Sequence, residues 1–437
     1  MDTVQLTAET GLCSSCGVCR NLCPEGCISW ERRDGMFLPA VDTEKCIGCG
    51  ICTRVCPGLS EEYDGKASLT ETILGDVNAA YNTWSRDPVL RHVSGSGGTV
   101  SSIVSALLAE GKYDAAFCVD SYSYNGQLLT KEIHSSDVPS DWGESTLPKS
   151  RYLPVSHENA VAYIKNHPDK HIILIGTSCA VRAMRKAIRF CHANPDQFLF
   201  IGLFCDTVFN YNVIDYYQRE FFPDKLLSGL HFKNKESGGW PGNMKVFFAD
   251  GTTAYLDKKE RAGVKSYFMP ERCLYCSDKL NICADISVGD NYTDQDSSPL
   301  GSNSVLIRTQ RGEQAWSDAC WCMEYEPFDK EKLIAAQYLE GRNSHFYYAA
   351  LKRERVEKKT GRKVLNNGTV TLAERPVEYE RAWHHDLRKL NAGAKYKDDP
   401  AKLKRMIADE ADDSALKSVG RFGERVYYAL KRRLRSK

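Results

Sequence analysis

The 437-residue sequence has almost no excess charge of either sign: 58 Lys and Arg stand against 57 Asp and Glu. A whole-surface nucleic-acid or acidic-substrate interface is therefore not expected, and no nucleic-acid partner is assigned. No stretch approaches the roughly 18 consecutive apolar residues of a membrane span. The opening residues, MDTVQLTAETG, lack the basic-then-apolar pattern of a signal peptide, so the cytoplasm is the expected compartment. No internal repeat follows residue 57, and no proton-transfer constellation stands out, so no catalytic acid or base is assigned. With 42% hydrophobic and 26% charged residues, the chain is not fibrous, collagen-like or wholly disordered. Its length suits about three domains.

Cysteine is what the chain has in excess, with 18 residues. In a long cytosolic chain, short repeated spacings mean metal or redox chemistry rather than a disulfide scaffold. Cys13, Cys16, Cys19 and Cys23-Pro24 have the spacing C-x2-C-x2-C-x3-C-P, and Cys46, Cys49, Cys52 and Cys56-Pro57 repeat it. This is the bacterial ferredoxin run for 4Fe–4S clusters. Three thiolates two residues apart wrap three irons of a cube, and the fourth ligand comes from the other run. One cluster is thus assigned to Cys13, Cys16, Cys19 and Cys56, the other to Cys46, Cys49, Cys52 and Cys23. Gly17, Gly48 and Gly50 let backbone amides approach the cluster sulfurs. The competing reading, zinc-binding pairs, wants longer loops between pairs. Cys27 lies outside the register and is expected to pack as a thiol.

Residues 1–57 are therefore read as a two-cluster ferredoxin domain. Residues 58–76 are acidic, weakly periodic and read as a linker. From 77 to 330 helical and strand patterns alternate. The pattern predicts helices over 99–112, 157–166 and 180–193 and strands over 113–120, 171–179 and 198–205. Residues 302–319 read as strand, turn and helix. This succession argues for an α/β core with parallel strands. Residues 331–437 read as a charged, mostly helical extension.

Cys179, in GTSCAVRAMRK (176–186), and Cys205, in GLFCDTV (202–208), end buried strands, and Cys273 and Cys276 form a C-x2-C pair in ERCLYCSDK. Strand ends of a parallel sheet lie side by side, so the four thiols are candidates for a third cluster. Buried free cysteines explain Cys179 and Cys205 equally well at this level. These segments, with SGSGGTVSSI (94–103), ERCLYCSDKLNICADISVGD (271–290) and SNSVLIRTQRG (302–312), occur in the order of a known family. They resemble the beta subunit of the coenzyme F-420-reducing hydrogenases and dehydrogenases. The resemblance covers residues 77–330 and implies FAD and an iron–sulfur cluster. By it, Cys179, Cys205, Cys273 and Cys276 hold that cluster, while Cys283 is outside the pattern.

Ser94, Gly95, Ser96, Gly97, Gly98 and Thr99 form a glycine-rich turn before a helix, where bare amides and the helix dipole favour a phosphate. The turn is neither G-x-G-x-x-G nor a Walker loop; alone it reads as a flexible turn, and within the resemblance as a flavin contact. Lys149 and Arg151, in KSRY (149–152), are candidates for phosphate pairing or a solvated basic turn. Asp285 and Asp290 are candidates for flavin ribityl or ring contacts, or for capping a turn. His384-His385 read as surface residues, and Cys320 and Cys322 as packing. The tail 421–437 carries seven Lys/Arg and an apolar stripe of Phe422, Val426, Leu430 and Leu434. It reads either as a docked terminal helix or as a contact with a partner or the inner membrane face.

The expected function is an iron–sulfur flavoprotein oxidoreductase. It would pass electrons between a small-molecule hydride donor or acceptor, such as the deazaflavin F-420, and a ferredoxin or catalytic subunit. The alternatives are a non-catalytic electron-transfer subunit and an accessory reductase in surface polysaccharide synthesis.

Overall fold

The computed structural model describes residues 3–119, 126–143, 145, 147–293 and 298–410. The basic tail 421–437 lies outside the described residues, so the membrane or partner contact expected there receives no structural account. Among the described residues no helix is long and apolar enough to cross a membrane.

The runs Ile172–Thr177 and Phe198–Leu203 are apolar on every face and buried, as central parallel strands require. They lie in an eight-stranded sheet with the spatial order Met323–Pro327, Ala79–Ser85, Asn303–Ile307, Ile286–Asp290, Phe198–Leu203, Ile172–Thr177, Ala115–Cys118, Lys131–Ile133. The four strands from Ile286–Asp290 to Ala115–Cys118 are parallel, and the flanking strands are antiparallel. The α/β expectation thus holds as a mixed sheet with a parallel centre.

Each face of the sheet carries a core. On one, the amphipathic helix Ser178–Ile188 buries Val181, Met184 and Ile188 against Leu174 and Phe200. On the other, Ile103 and Leu107 of helix Thr99–Ala109 meet Ile173, Ile201 and Val288. Each such side chain contributes about 1.5–3 kcal/mol when fully buried. The first core also takes in Val18, Leu22 and Val55, so the N-terminal domain packs onto the sheet through the short helices Val18–Leu22 and Ile51–Val55.

A further antiparallel sheet, Leu227–Asn234, Asn243–Phe248 and Thr253–Leu256, packs with helices Asn212–Phe221 and Lys258–Phe268 around a separate aromatic core. The C-terminal extension supplies helices Ser344–Thr360 and Val377–Lys395. Despite their charge they bury Phe346, Leu351 and Trp383.

Residues 58–76 are not a loose tether. Ser60–Tyr63 is a strand that pairs in parallel with Asn366–Gly368 of the extension. Leu69–Leu74 is a helix closed by a capping box of Ser68 and Glu71. Glu61 is buried against Arg272, which explains why an acidic stretch is folded here.

Candidate functional site: thiol groups and a cation-lined cleft

In the N-terminal domain the two cysteine runs fold alike. Gly17 and Gly50 take left-handed φ values of 78° and 70°, a conformation open to glycine, and each starts a one-turn helix, Val18–Leu22 and Ile51–Val55. Each helix ends at the fourth cysteine, Cys23 or Cys56, in extended conformation before its proline. Burial pushes the Cys19 thiol well up, and Cys16, Cys56, Cys13 and Cys52 add to it by repulsion. Cys56 likewise stands among the neighbours that raise Cys13 and Cys16, after burial. Burial raises Cys52, with Cys49 and Cys23 adding to it. Cys56 is therefore a neighbour of the first run, and Cys23 of Cys52 in the second. Cys27 is buried, with its sulfur 3.3 Å from that of Cys23.

The core thiols are positioned by the sheet. Leu203 pairs with Thr177 in the parallel register. Cys205 and Cys179 therefore stand two residues past one register pair. The turn Glu271–Tyr275 brings Cys273 beside them, and Cys276 follows directly after it. Burial raises Cys205 well above the usual thiol range, with Cys273 and Cys179 as the next causes. Burial raises Cys179 to about 11, with Cys16 of the N-terminal domain next. The core thiols and the first N-terminal group are thus neighbours.

Two guanidinium groups face these thiols. Arg272 is 2% exposed, and its Nε and Nη1 have no hydrogen-bond partner. Arg342 is 7% exposed, and its Nε is likewise unpartnered. Arg342 stands near Cys276, Cys205 and Cys273. Leaving buried donors unmade costs about 1–3 kcal/mol each. Thiolate and sulfide acceptors of an anionic cluster suit them. Among the described residues no three His, Cys, Asp or Glu side chains close on a single metal ion. The fit to a cluster therefore rests on the thiol neighbourhoods and these unmade N–H groups.

The glycine turn is wholly buried between helices Pro88–Val93 and Thr99–Ala109. A Cβ on Gly97 would stand 2.7 Å from Thr83 O and 2.8 Å from Asn303 Oδ1, so only glycine fits. The hydroxyls here are committed to protein. Ser94 donates to Leu90 O, Ser96 donates to Ser302 O, and Thr99 pairs with Thr83. What the turn presents to a ligand is backbone, with cations behind it. Lys149 Nζ donates to Val93 O at 2.5 Å, and Lys235 Nζ donates to Ser96 O at 2.7 Å. Arg151 donates to Lys149 O at 2.6 Å.

These lysines line a cleft of about 610 Å³, open solvent at its mouth included, with His92, His231, Lys245 and Phe247. Burial lowers Lys149 to about 8; Glu236, also in the lining, opposes this, and Arg151 and Lys245 add to it. Burial, then Arg91, Lys149 and Lys233, bring Lys235 to about 7. A bound anion would relieve this crowding.

The two aspartates part company. Asp290 ends its strand opposite Asn303, whose Oδ1 accepts from Thr99 N, so it lies at the turn. Its carboxylate is held by buried Lys233 and by Tyr292 at 2.9 Å. Asp285 precedes the start of the same strand, about 16 Å away by strand rise. Its oxygens accept from Phe200 N and Thr309 and pair with Arg185. The flavin contact expected of Asp285 is corrected: it is a buried structural pin at the far end of the sheet. Sequence reading missed Lys235, Lys245, Arg272 and Arg342. The available signal was the alternate spacing of His231, Lys233 and Lys235 in the sequence, although the strand ends at Asn234.

His385 pairs with Glu410 on the surface, and the Cys322 thiol lies against Ser102 O within the sheet core.

Comparison with known proteins fits this arrangement. Residues 12–58 match the 4Fe–4S dicluster domain family. Residues 80–130 and 169–331 match the N-terminal and C-terminal parts of the coenzyme F-420 hydrogenase/dehydrogenase beta-subunit family. A coenzyme F-420-dependent sulfite reductase of Methanocaldococcus jannaschii is 24% identical over 324 residues, which are 70% of this chain and 46% of that protein. The chain thus spans about half the length of that curated relative. A solved structure of the F-420-reducing nickel–iron hydrogenase complex from Methanosarcina barkeri contains a chain with the same fold, at a TM-score of 0.50 and 19% identity. The match covers 68% of this chain and 98% of that one. Both segments of the coenzyme F-420 hydrogenase/dehydrogenase beta-subunit family thus stand in order behind a dicluster domain, and the chain resembles that family over residues 80–130 and 169–331.

Proposed function

We propose that this chain is an iron–sulfur flavoprotein oxidoreductase. It passes electrons between a two-electron small molecule, F-420 or a related carrier, and a protein partner. In this reading Cys13, Cys16, Cys19 and Cys56 hold one cluster, Cys46, Cys49, Cys52 and Cys23 a second, and Cys179, Cys205, Cys273 and Cys276 a third. FAD lies at Ser94–Thr99, with Lys149, Lys235 and Arg151 countering its phosphates. FAD supplies hydride chemistry, and the clusters supply one-electron transfer. The chain's own residues bind, orient and exclude water. The Gly97 approach fixes the turn, and Arg272 and Arg342 offer N–H groups to the core thiols.

The observation that supports this reading most is the neighbourhood of Cys179. Both Cys16 of the N-terminal domain and Cys273 of the core are among the groups that raise its thiol, which supports two adjoining thiol groups. The decisive measurement is total iron and released flavin in anaerobically purified protein. About twelve irons and one FAD per chain are expected from three four-iron clusters. About eight irons and no flavin, with loss in preparation excluded, would remove the third cluster and the flavin.

A second reading draws on the hydrogenase relative, whose structure is that of a complex. Here the chain is an electron-transfer subunit that serves a catalytic partner. Stoichiometric co-purification of such a partner supports it; flavin reduction by a small molecule in the isolated chain counts against it.

A further inference from the structure

One buried ion pair adjoins Cys276 of the core and the backbone that follows Cys56, and ligates neither thiol group. Arg272 precedes Cys273 and donates from Nη2 to Glu61 Oε2 at 2.9 Å, the two side chains being 2% and 5% exposed. The same Nη2 lies 3.2 Å from the carbonyl of Pro57, the residue after Cys56. Glu61 Oε1 lies 3.3 Å from Cys276 Sγ. Arg272 is also among the charges that act on Cys56. The neighbouring buried pair Arg182–Asp278 has its own hydrogen-bond partners on Glu62 and Ile282. Arg272 thus spans from the last cysteine of the N-terminal domain, Cys56, to the cysteine pair of the core. Glu61 reaches the core side alone.

A guanidinium keeps its proton in a protein. Its charge is therefore fixed whatever the electron count beside it. A fixed positive charge favours a neighbouring centre that has gained an electron, and a carboxylate disfavours it. Burial strengthens both effects by lowering the local dielectric. Net charge and hydrogen bonds to sulfur are among the levers that set cluster potentials.

We propose that the Glu61–Arg272 pair sets the reduction potential of the core thiol centre, with Arg272 raising it and Glu61 lowering it. Arg272 raises the adjoining centre of Cys13, Cys16, Cys19 and Cys56 as well. One electron leaves the donor centre and one enters the acceptor; no bond breaks and no proton moves. The segment 58–76 therefore carries an electrostatic control element. This rests on the reading that Cys179, Cys205, Cys273 and Cys276 hold a four-iron cluster.

The test is an EPR-monitored redox titration of the anaerobically purified full chain, with total iron measured on each sample. Glu61→Gln should move the core midpoint to a more positive potential. Arg272→Gln should move it to a more negative one and carry the adjoining centre the same way. Arg272→Lys should return both towards the wild type. Opposite shifts from the two halves of one pair cannot come from general damage, which moves both variants together. Full iron with unmoved midpoints, or shifts of the same sign in Arg272→Gln and Glu61→Gln, overturns the proposal. Should Arg272→Gln fail to retain iron, Glu61→Gln still decides: a positive shift upholds the proposal, and none overturns it. A wild-type chain with only two clusters' worth of iron removes the underlying reading and this proposal together.

Discussion

Arg342 of the C-terminal extension reaches back to Asp206, the residue after Cys205. Its Nη1 lies 3.2 Å from Asp206 Oδ1, and its Nη2 donates to the Asp206 carbonyl at 2.8 Å. The extension makes further ties to this end of the sheet and to the cysteine turn. Gln337 donates to the Asp290 carbonyl, and Lys352 pairs with Glu271 at the head of the cysteine turn. The polar helices after residue 330 thus clamp the strand ends and the Cys273–Cys276 turn. Arg342→Gln should lower unfolding stability by about 1–3 kcal/mol through the lost buried partner. Denaturant unfolding checks this. Iron per chain should fall with truncation after residue 330, and unchanged iron would show that the clamp is dispensable.

The thiol assignments separate ligands from packed cysteines. Cys273→Ser should remove about four irons per chain and leave the N-terminal clusters in place. Cys322→Ser, whose sulfur packs near Ser102 O, should leave iron unchanged. Parallel iron assays on the two variants decide the matter, and equal loss or equal retention defeats the assignment.

Gly97 offers a steric test. Its added Cβ would meet a backbone oxygen and an asparagine that already accepts from the turn. Gly97→Ala should cost about 1–3 kcal/mol, the usual range for overpacking. It should also weaken flavin retention under dilution. A substitution with neither effect would mean that the turn yields easily and is no cradle.

His231 supplies a pH signature. Burial, and then Lys149, Arg151 and Lys245, depress its folded value to about 3. The unfolded chain takes the proton near the ordinary value of about 6.5, while the folded chain refuses it. Stability from this group is complete above that value and is lost as pH falls towards the folded value. The slope approaches about 1.4 kcal/mol per pH unit. Unfolding of wild type and His231→Gln should therefore converge as pH is lowered from neutrality. Parallel curves would contradict the burial of a neutral imidazole.

Much of the chemistry is legible in the sequence because it is local. The two runs ending at Cys23-Pro24 and Cys56-Pro57 encode their own short helices, and the left-handed Gly17 and Gly50 stand in the sequence as glycines. The strand Ile172–Thr177 shows as an unbroken apolar run because both its faces are covered. The end of the sheet that a residue occupies is set by strand order. Asp285 and Asp290 therefore look equivalent as letters and stand about 16 Å apart in the fold. Glu61 lies in the stretch 58–76 that reads as an acidic linker, because its partner, Arg272, belongs to a distant segment. Trp383 and Leu403 are buried in helices whose other faces are charged, and a charge count over the extension hides them.

The strand Ser60–Tyr63 carries a kinetic consequence. A ferredoxin module on a flexible tether must diffuse to its acceptor, and its transfer rate then falls as the solvent thickens. Here the connector is hydrogen-bonded into a sheet with Asn366–Gly368, and the Thr369 amide is tied to the Tyr63 carbonyl. The spacing between Cys16 and Cys179 is thereby held by the fold, not by chance encounter. Hand-off between the two thiol groups should be indifferent to glycerol or sucrose, and a peptide bond cut between Asp64 and Ser68 should leave the two pieces travelling as one particle.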